Sequence, residues 1–410
     1  MEYKPLFIAI IAILIVQYLI DLVLNHLNAM RFKQKVPAEL EDIFNLDEYQ
    51  KSQSYKMANY RFGRYSNTFS LVLTLAFLVV GGFEWVDGIV RSITIQPIPM
   101  ALMFFGIILF ASSLFSIPFS YYKTFVIEEK FGFNKSTKRL FVADVVKGWV
   151  VTALLGGAIL ALIIWFLQWA GAHFWFYAWA AITLFMLFIN LFYSKLIVPL
   201  FNKQSPLEPG SLKNAIESYA KKVGFKLQHI FVIDGSKRST KANAYFSGFG
   251  KQKRVTLFDT LINDLEEEEI VAVLAHEVGH YKRKHIIFNF FASIALTGFT
   301  LYILSLFINN PEVSLAIGVS TPSFHAALIG FALLYSPISE ITGLFMNYLS
   351  RRFEFQADDF AKDTFAPKPL ISSLKKLSKN SLSNLTPHPA YVFMHYSHPP
   401  LIERIRNLKA

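Results

Sequence analysis

Cysteine is missing altogether from the 410 residues, which excludes disulfides and thiolate-bound metal outright. Charge is sparse at 17% of residues, and acid is the scarcer sign, with 29 Asp and Glu against 40 Lys and Arg. Internal repeats and low-complexity segments are lacking too. Apolar side chains are what the chain has: 53% are hydrophobic, and 41 residues are Phe. They fall in runs long enough to cross a bilayer, which needs roughly 20 residues as a helix.

The runs are Leu6 to Leu24, Phe69 to Val90, Pro99 to Tyr121, Trp149 to Trp169, Phe174 to Val198, Ile286 to Ile308 and Phe324 to Leu349. About seven membrane helices are therefore expected. The second run is interrupted by Glu84 and Asp87. The last carries Pro337 and Glu340, predicting a kink that faces protein or water rather than lipid. The first run is too long for a signal-peptide core and no small-residue cleavage site follows Leu24, so it reads as a retained anchor.

The net charge of +11 raises nucleic acid as a partner, and its placement argues against that. Lys and Arg crowd the segments after the first, third, fifth and seventh runs and are nearly missing from the other connections. That alternation is the positive-inside pattern. It predicts an N-terminus outside the cytoplasm, and it places the segments around residues 201–284 and 351–410 on the cytoplasmic side. Anionic lipid is a natural partner for such basic segments.

Within the first of those segments lies Ala275-His276-Glu277-Val278-Gly279-His280. Two histidines four apart share one helical face, so both imidazoles can grip one zinc ion while Glu277 reaches the water to be activated. A third ligand is offered by Glu354, and Asp358, again four residues on, can accept a hydrogen bond that orients a ligating imidazole. Taken alone, the pair Glu354 and Asp358 would equally suit a solvated helix pairing with Arg351 or Arg352; His276, Glu277 and His280 tip the balance.

Four parts are expected: membrane helices and loops over 1–200, a peptidase segment over 201–284, two further membrane helices over 285–350, and a C-terminal cytoplasmic part over 351–410. In the second part, Ser211 to Val223 reads as an amphipathic helix. His229 to Ile233, Ala242 to Phe249 and Arg254 to Phe258 read as strands, the last two joined by a turn at 248–253. Asn263 or Asp264 is expected to cap the helix that carries His276, with Glu266 to Glu269 in its first turn. This helix sits at the membrane surface and is free to continue into the sixth run. Ser372 to Asn384 reads as a polar stretch. His285, His325, His388 and His395 read as interfacial or packing histidines rather than ligands, and Glu128 and Glu129 as a solvated face.

Beyond the zinc motif, several segments resemble one family in order: Phe125 to Asn134, Pro199 to Lys203, Gly235 to Ser239, Asn243 to Phe246, Arg351 to Asp358 and His395 to Arg404. Together they make the chain similar to the multi-pass CAAX prenyl endopeptidases of the a-factor-converting, zinc-dependent type. The resemblance implies seven helices forming a barrel around a water-filled chamber, with a cytoplasmic α/β zinc-peptidase domain. It implies cleavage of polypeptides bearing a C-terminal prenylated cysteine. His276, His280 and Glu354 would then hold one Zn²⁺ and Glu277 would be the base. Asn243 would hold substrate backbone, His398 would stabilise the developing oxyanion, and Arg404 would support the same wall as a substrate-binding residue. The final residues Asn407 to Ala410 carry no endoplasmic-reticulum retrieval signal, so a bacterial inner membrane is as natural a setting as the endoplasmic reticulum. Two other readings remain open: an HtpX-like quality-control protease, and a zinc-binding transporter that performs no hydrolysis and would have no use for Glu277.

Overall fold

The structure is a computed structural model that describes residues 4–410 except 44, 228, 243 and 248–253. Long apolar helices make up its first half: Lys4–Met30, Leu46–Val79, Gly82–Ile93, Pro97–Tyr122, Lys138–Val151, Gly157–Ala170 and Phe174–Leu196. Two more follow the peptidase segment, His285–Phe307 and Phe324–Thr364. Among the described residues, five continuous stretches are long and apolar enough to cross a membrane, or six when the bent pair Leu46–Val79 and Gly82–Ile93 counts as one span. That pair turns by 61° at Gly81, whose φ of 72° is a left-handed conformation open chiefly to glycine. Glu84 and Asp87, the charges that interrupt the second run, lie just past this bend. Asp87 is buried against His325 and Arg91, and Glu84 accepts hydrogen bonds from the backbone and hydroxyl of Ser320.

One of the five stretches, Lys138–Phe201, is 64 residues long, or about 96 Å if it were a single straight helix. It is not straight. The chain turns at Gly171, with φ 54°, and the helices on either side pack against each other.

Two helical boundaries differ from expectation. The last apolar helix does not stop near Leu349: it runs unbroken from Phe324 to Thr364, with Pro337 inside it, and so joins the membrane-length part rigidly to Glu354 and Asp358. The polar stretch after it is largely helix as well, Pro367–Asn380. Its Leu370, Ile371, Leu374 and Leu377 join the core around the helix Glu267–Lys282, and such an apolar stripe hidden among polar residues is enough to dock a helix.

The peptidase segment has a four-stranded sheet in the order β1 (Gln204–Pro206), β2 (His229–Ile233), β4 (Arg254–Phe258), β3 (Ala244–Ser247). β2 and β4 are parallel, and the other two pairs are antiparallel. The predicted β3–β4 hairpin pairing is present, and its turn lies outside the described residues, as does Asn243. β3 is an edge strand. One face of the sheet and the helix Ser211–Lys222 close on the helix Glu267–Lys282 through Ile216, Val255, Leu257, Ile270 and Leu274, all nearly inaccessible.

Glu128 is not on a solvated face. It lies at the end of a π-helical turn, Lys123–Glu128, where Tyr55 donates to it at 2.6 Å and Lys241 pairs with it at 2.9 Å. This contact ties the membrane half to the strand region 186 residues beyond Tyr55.

Candidate metal centre

The helix Glu267–Lys282 begins at Glu266, not at Asn263 or Asp264, which belong to a separate short helix, Asp259–Asp264. Glu266 and Glu269 form a reciprocal capping box that satisfies two otherwise orphaned N–H donors. Glu269 is also bound by Lys376 at 2.8 Å and Ser372 at 2.6 Å, which pins the start of the helix to Pro367–Asn380. Burial alone would raise the Glu269 pKa, but these partners outweigh it and hold the carboxyl below its ordinary range. At its other end the helix does not continue toward the membrane. Lys284 takes φ 61°, a left-handed turn unusual for a side chain other than glycine, and a new helix starts at His285.

In its last turn, Gly279 faces the long helix Phe324–Thr364. A Cβ there would stand 3.0 Å from the Cα and carbonyl oxygen of Ala357. The two helices therefore approach as closely as their backbones allow, and this brings His276 and His280 against Glu354. The two Nε2 atoms are 3.1 Å apart. Glu354 Oε2 is 3.4 Å from His276 Nε2, and its Oε1 is 3.3 Å from His280 Nε2. A tetrahedral ion with bonds of about 2.0–2.1 Å separates its ligand atoms by roughly 3.3–3.4 Å, so this donor set fits such an ion. Glu354 is 4% exposed, and its Oε2 is buried without a hydrogen-bond donor. A buried carboxylate oxygen without a donor is costly; the Arg404 guanidinium at 3.5 Å offsets part of that cost, and a bound metal ion would supply the direct partner.

Hydrogen bonds around the three residues set the imidazole tautomers. Asp358, wholly buried, lies 2.8 Å from His276 Nδ1. A carboxylate only accepts, so Nδ1 carries the proton and Nε2 is the atom turned to Glu354. Arg404 grips both oxygens of Asp358 at 2.8 and 2.6 Å and approaches Glu354 Oε2 at 3.5 Å. Burial would lower the pKa of His276, but the Asp358 and Glu354 carboxylates override that and lift it to about 9. Burial likewise works against the Arg404 charge, and Asp358 more than restores it.

A second chain of bonds reaches His280. His285 Nε2 lies 2.8 Å from Gln356 Oε1, and its Nδ1 lies 3.1 Å from His280 Nδ1. If His285 donates to the amide oxygen, its Nδ1 accepts from His280, and His280 Nε2 keeps its lone pair. His285 also stacks on Phe353 at 4.2 Å. The sequence alone gives His285 an interfacial or packing role and gives Gln356 none. Nothing in their spacing reveals the pairing, because it depends on the turn at Lys284 and on a partner 71 positions away.

The remaining candidates are placed as follows. Glu277 is half-buried on the same helix as both histidines, and its charge acts on Arg404. His398 stands on the rim, with a side chain 65% exposed and Nε2 3.3 Å from Glu354 Oε1. Its Nδ1 is 3.0 Å from the Ser397 hydroxyl. Arg404 is drawn inward, with only 11% of its side chain exposed, and its guanidinium is committed to Asp358. Asn243 lies outside the described residues.

Comparison with known proteins bears on this geometry. Residues 25–203 match the family described as CAAX prenyl protease N-terminal, five membrane helices. Residues 206–410 match peptidase family M48. The Arabidopsis thaliana protein named CAAX prenyl protease 1 homolog is 35% identical over 98% of this chain and 97% of its own. The chain is a member of the CAAX prenyl protease 1 family. Saccharomyces cerevisiae CAAX prenyl protease 1 is 35% identical over 91% of this chain and 88% of its own. The crystal structure of S. mikatae Ste24p superposes with a TM-score of 0.93 at 32% identity, covering 99% of each chain. Family membership makes the chain a multi-pass membrane metalloprotease, acting on polypeptide and requiring a metal cofactor, and the cluster His276, His280 and Glu354 is where such a metal fits.

Proposed function

We propose that this protein is a zinc-dependent endopeptidase that trims prenylated CAAX-type polypeptides inside a membrane chamber. The observation that carries the reading is the convergence of His276, His280 and Glu354 on one point, with Glu277 on the same helix. Zinc, when bound, supplies Lewis-acid polarisation of the scissile carbonyl. Glu277 takes a proton from the attacking water and delivers it to the leaving amine. His398, on the rim beside Glu354, donates to the oxyanion that develops, a contribution of about 3 kcal/mol for such donors. Asp358 and the pair His285–Gln356 hold the two imidazoles in their ligating tautomers, and Arg404 keeps Asp358 ionised rather than meeting substrate directly.

The substrate peptide would add to the open edge of β3, where main-chain hydrogen bonds give affinity without a demand on sequence; Asn243 would share in that contact. Counting the two arms of Lys138–Phe201 separately gives seven spans, and these would enclose the chamber. Basic residues at the metal-site ends of the helices support a cytoplasmic active site, in the endoplasmic reticulum or a bacterial inner membrane. The names of the relatives support the prenylated substrate, and matches over nearly the whole chain favour this role over an HtpX-like one. A transporter has no need of Glu277.

The test is cleavage of a farnesylated CAAX peptide and its unprenylated twin by wild type and by Glu277→Gln, with zinc quantified in both. Wild type should cut the farnesylated peptide, and Glu277→Gln should keep its zinc and lose about 10²–10⁴-fold in rate. Equal cutting by the variant would remove Glu277 from the reaction. Equal cutting of the two peptides would remove prenyl recognition.

A further inference from the structure

Away from the metal centre, a cleft of about 650 Å³ opens where the membrane helices meet the sheet. Five cations line it, Lys147, Lys195, Lys203, Lys237 and Arg254, with no carboxylate among the described lining residues. They come from four separate stretches of chain. Lys147 precedes the apolar run that starts at Trp149, and Lys195 closes the helix Phe174–Leu196. Lys203 comes just before β1, Lys237 follows β2, and Arg254 opens β4. The cleft thus straddles the end of the membrane helices and the start of the peptidase segment.

Its frame is rigid. Arg238 holds Asp144 through two bonds of 2.8 and 2.9 Å and also donates to the Phe201 carbonyl at 2.8 Å. Asp234 accepts from the Lys203 backbone at 2.8 Å and from Asn202 at 3.1 Å. The two nearby acids, Asp144 and Asp234, therefore already have partners. The floor is aromatic: Lys147 lies 5.9 Å from the Phe201 ring centre, and the Arg254 guanidinium 4.9 Å from that of Phe231. Gln204, also in the lining, keeps its amide nitrogen buried without an acceptor. Clustered cations and a donor lacking an acceptor call for an anion rich in oxygen atoms.

We infer that this cleft binds the phosphodiester headgroup of an anionic phospholipid. A free phosphate would use only the cations. Beside them, however, Leu196 and Leu200 are 50% and 47% exposed, an apolar margin suited to acyl chains and positioned at the end of a membrane helix. None of these residues belongs to the metal centre, so the inference stands independently of the peptidase reading.

The experiment uses the full-length protein in nanodiscs and in detergent, with lipid retention read by native mass spectrometry. The probes are phosphatidylglycerol, phosphatidylcholine, inorganic phosphate and a short acidic peptide. Lys195→Gln, Lys203→Gln and Lys237→Gln are combined in one variant, and Lys221→Gln, Lys226→Gln and Lys368→Gln in a control of equal charge. Wild type and control should retain phosphatidylglycerol over phosphatidylcholine. The cleft variant should bind it about a hundredfold more weakly, at roughly fivefold per lysine near a membrane surface, and Lys→Arg at the same three positions should restore binding. Equal retention by the cleft variant, or no preference over phosphatidylcholine, overturns the proposal. Displacement of lipid by inorganic phosphate at matching concentration would reassign the cleft to free phosphate, and stronger displacement by the acidic peptide would reassign it to protein.

Discussion

The long helix Phe324–Thr364 carries a buried histidine–aspartate–arginine group near each end, and the two are built from the same parts to different effect. Near its start, His325 meets Asp87 Oδ1, and Arg91 holds Asp87 Oδ2; Ser323 closes on the same imidazole nitrogen at 3.0 Å. Both carboxylate oxygens are used, and His325 packs against Phe104 with ring centres 4.4 Å apart. Further along the same helix, Asp358, with Arg404, similarly braces His276, but there the far imidazole nitrogen is turned toward His280 and Glu354, and Glu354 Oε2 has no hydrogen-bond donor. The first group has both Asp87 oxygens taken by its own members and so acts as a clamp. The other converges two imidazoles and a carboxylate on one point, where a metal would take the place of the imidazole proton.

Breaking the clamp should have the largest effect on stability. Asp87→Ala strips a buried imidazole and guanidinium of their partner, a loss of about 3–5 kcal/mol. Thermal unfolding in detergent should show it, with the metal content of the folded fraction unchanged; lost metal at intact stability would contradict the contrast. At the other end, Asp358→Asn should leave the fold in place and weaken metal affinity by about 10–100-fold, measured by chelator competition. The same titration carries a pH signature. With the His276 pKa at about 9, metal must displace a proton at neutral pH, so affinity should fall about tenfold for each unit of acidification below that value. In Asp358→Asn the imidazole loses the partner that raises its pKa, and the slope near neutrality should flatten; an unchanged slope would mean that Asp358 does not govern the proton. The smallest effect is expected from His285→Phe, which keeps the stack on Phe353 and removes the hydrogen bond to His280. A loss in metal affinity of up to about tenfold, with unfolding temperature unchanged, would show that His285 orients its neighbour. No loss would return it to a packing role.

Local periodicity explains what was legible in advance. His276 and His280, and again Glu354 and Asp358, are four apart, and helical geometry alone puts each pair on one face. Membrane-length helices follow from run length in the same one-dimensional way, as do β2, β3 and β4 from apolar spacing and turn residues, whereas β1 and the parallel pairing of β2 with β4 do not. Where local signals compete, a boundary moves: Asn263 and Asp264 are good caps for a helix whose first turn lies among the four successive acids Glu266 to Glu269, and only the reciprocal bonds of Glu266 and Glu269 show that Glu266 itself takes the cap. Ser372 to Asn384 reads only as a polar stretch because a narrow apolar stripe is hard to see among Ser, Lys and Asn.

By itself, then, the sequence determined that this is a multi-pass membrane protein with a metal-binding helix and which residue types would serve it, because those properties depend on neighbours within a turn or a run. Tertiary structure decided the rest. Arg404 reaches Asp358 across 46 positions, His285 reaches Gln356 across 71, and His325 reaches Asp87 across 238. Such pairings depend on how closely helices pack, as at Gly279 against Ala357, and on single backbone turns, as at Lys284. Contact across space is a property of the packed helices, and no local period encodes it.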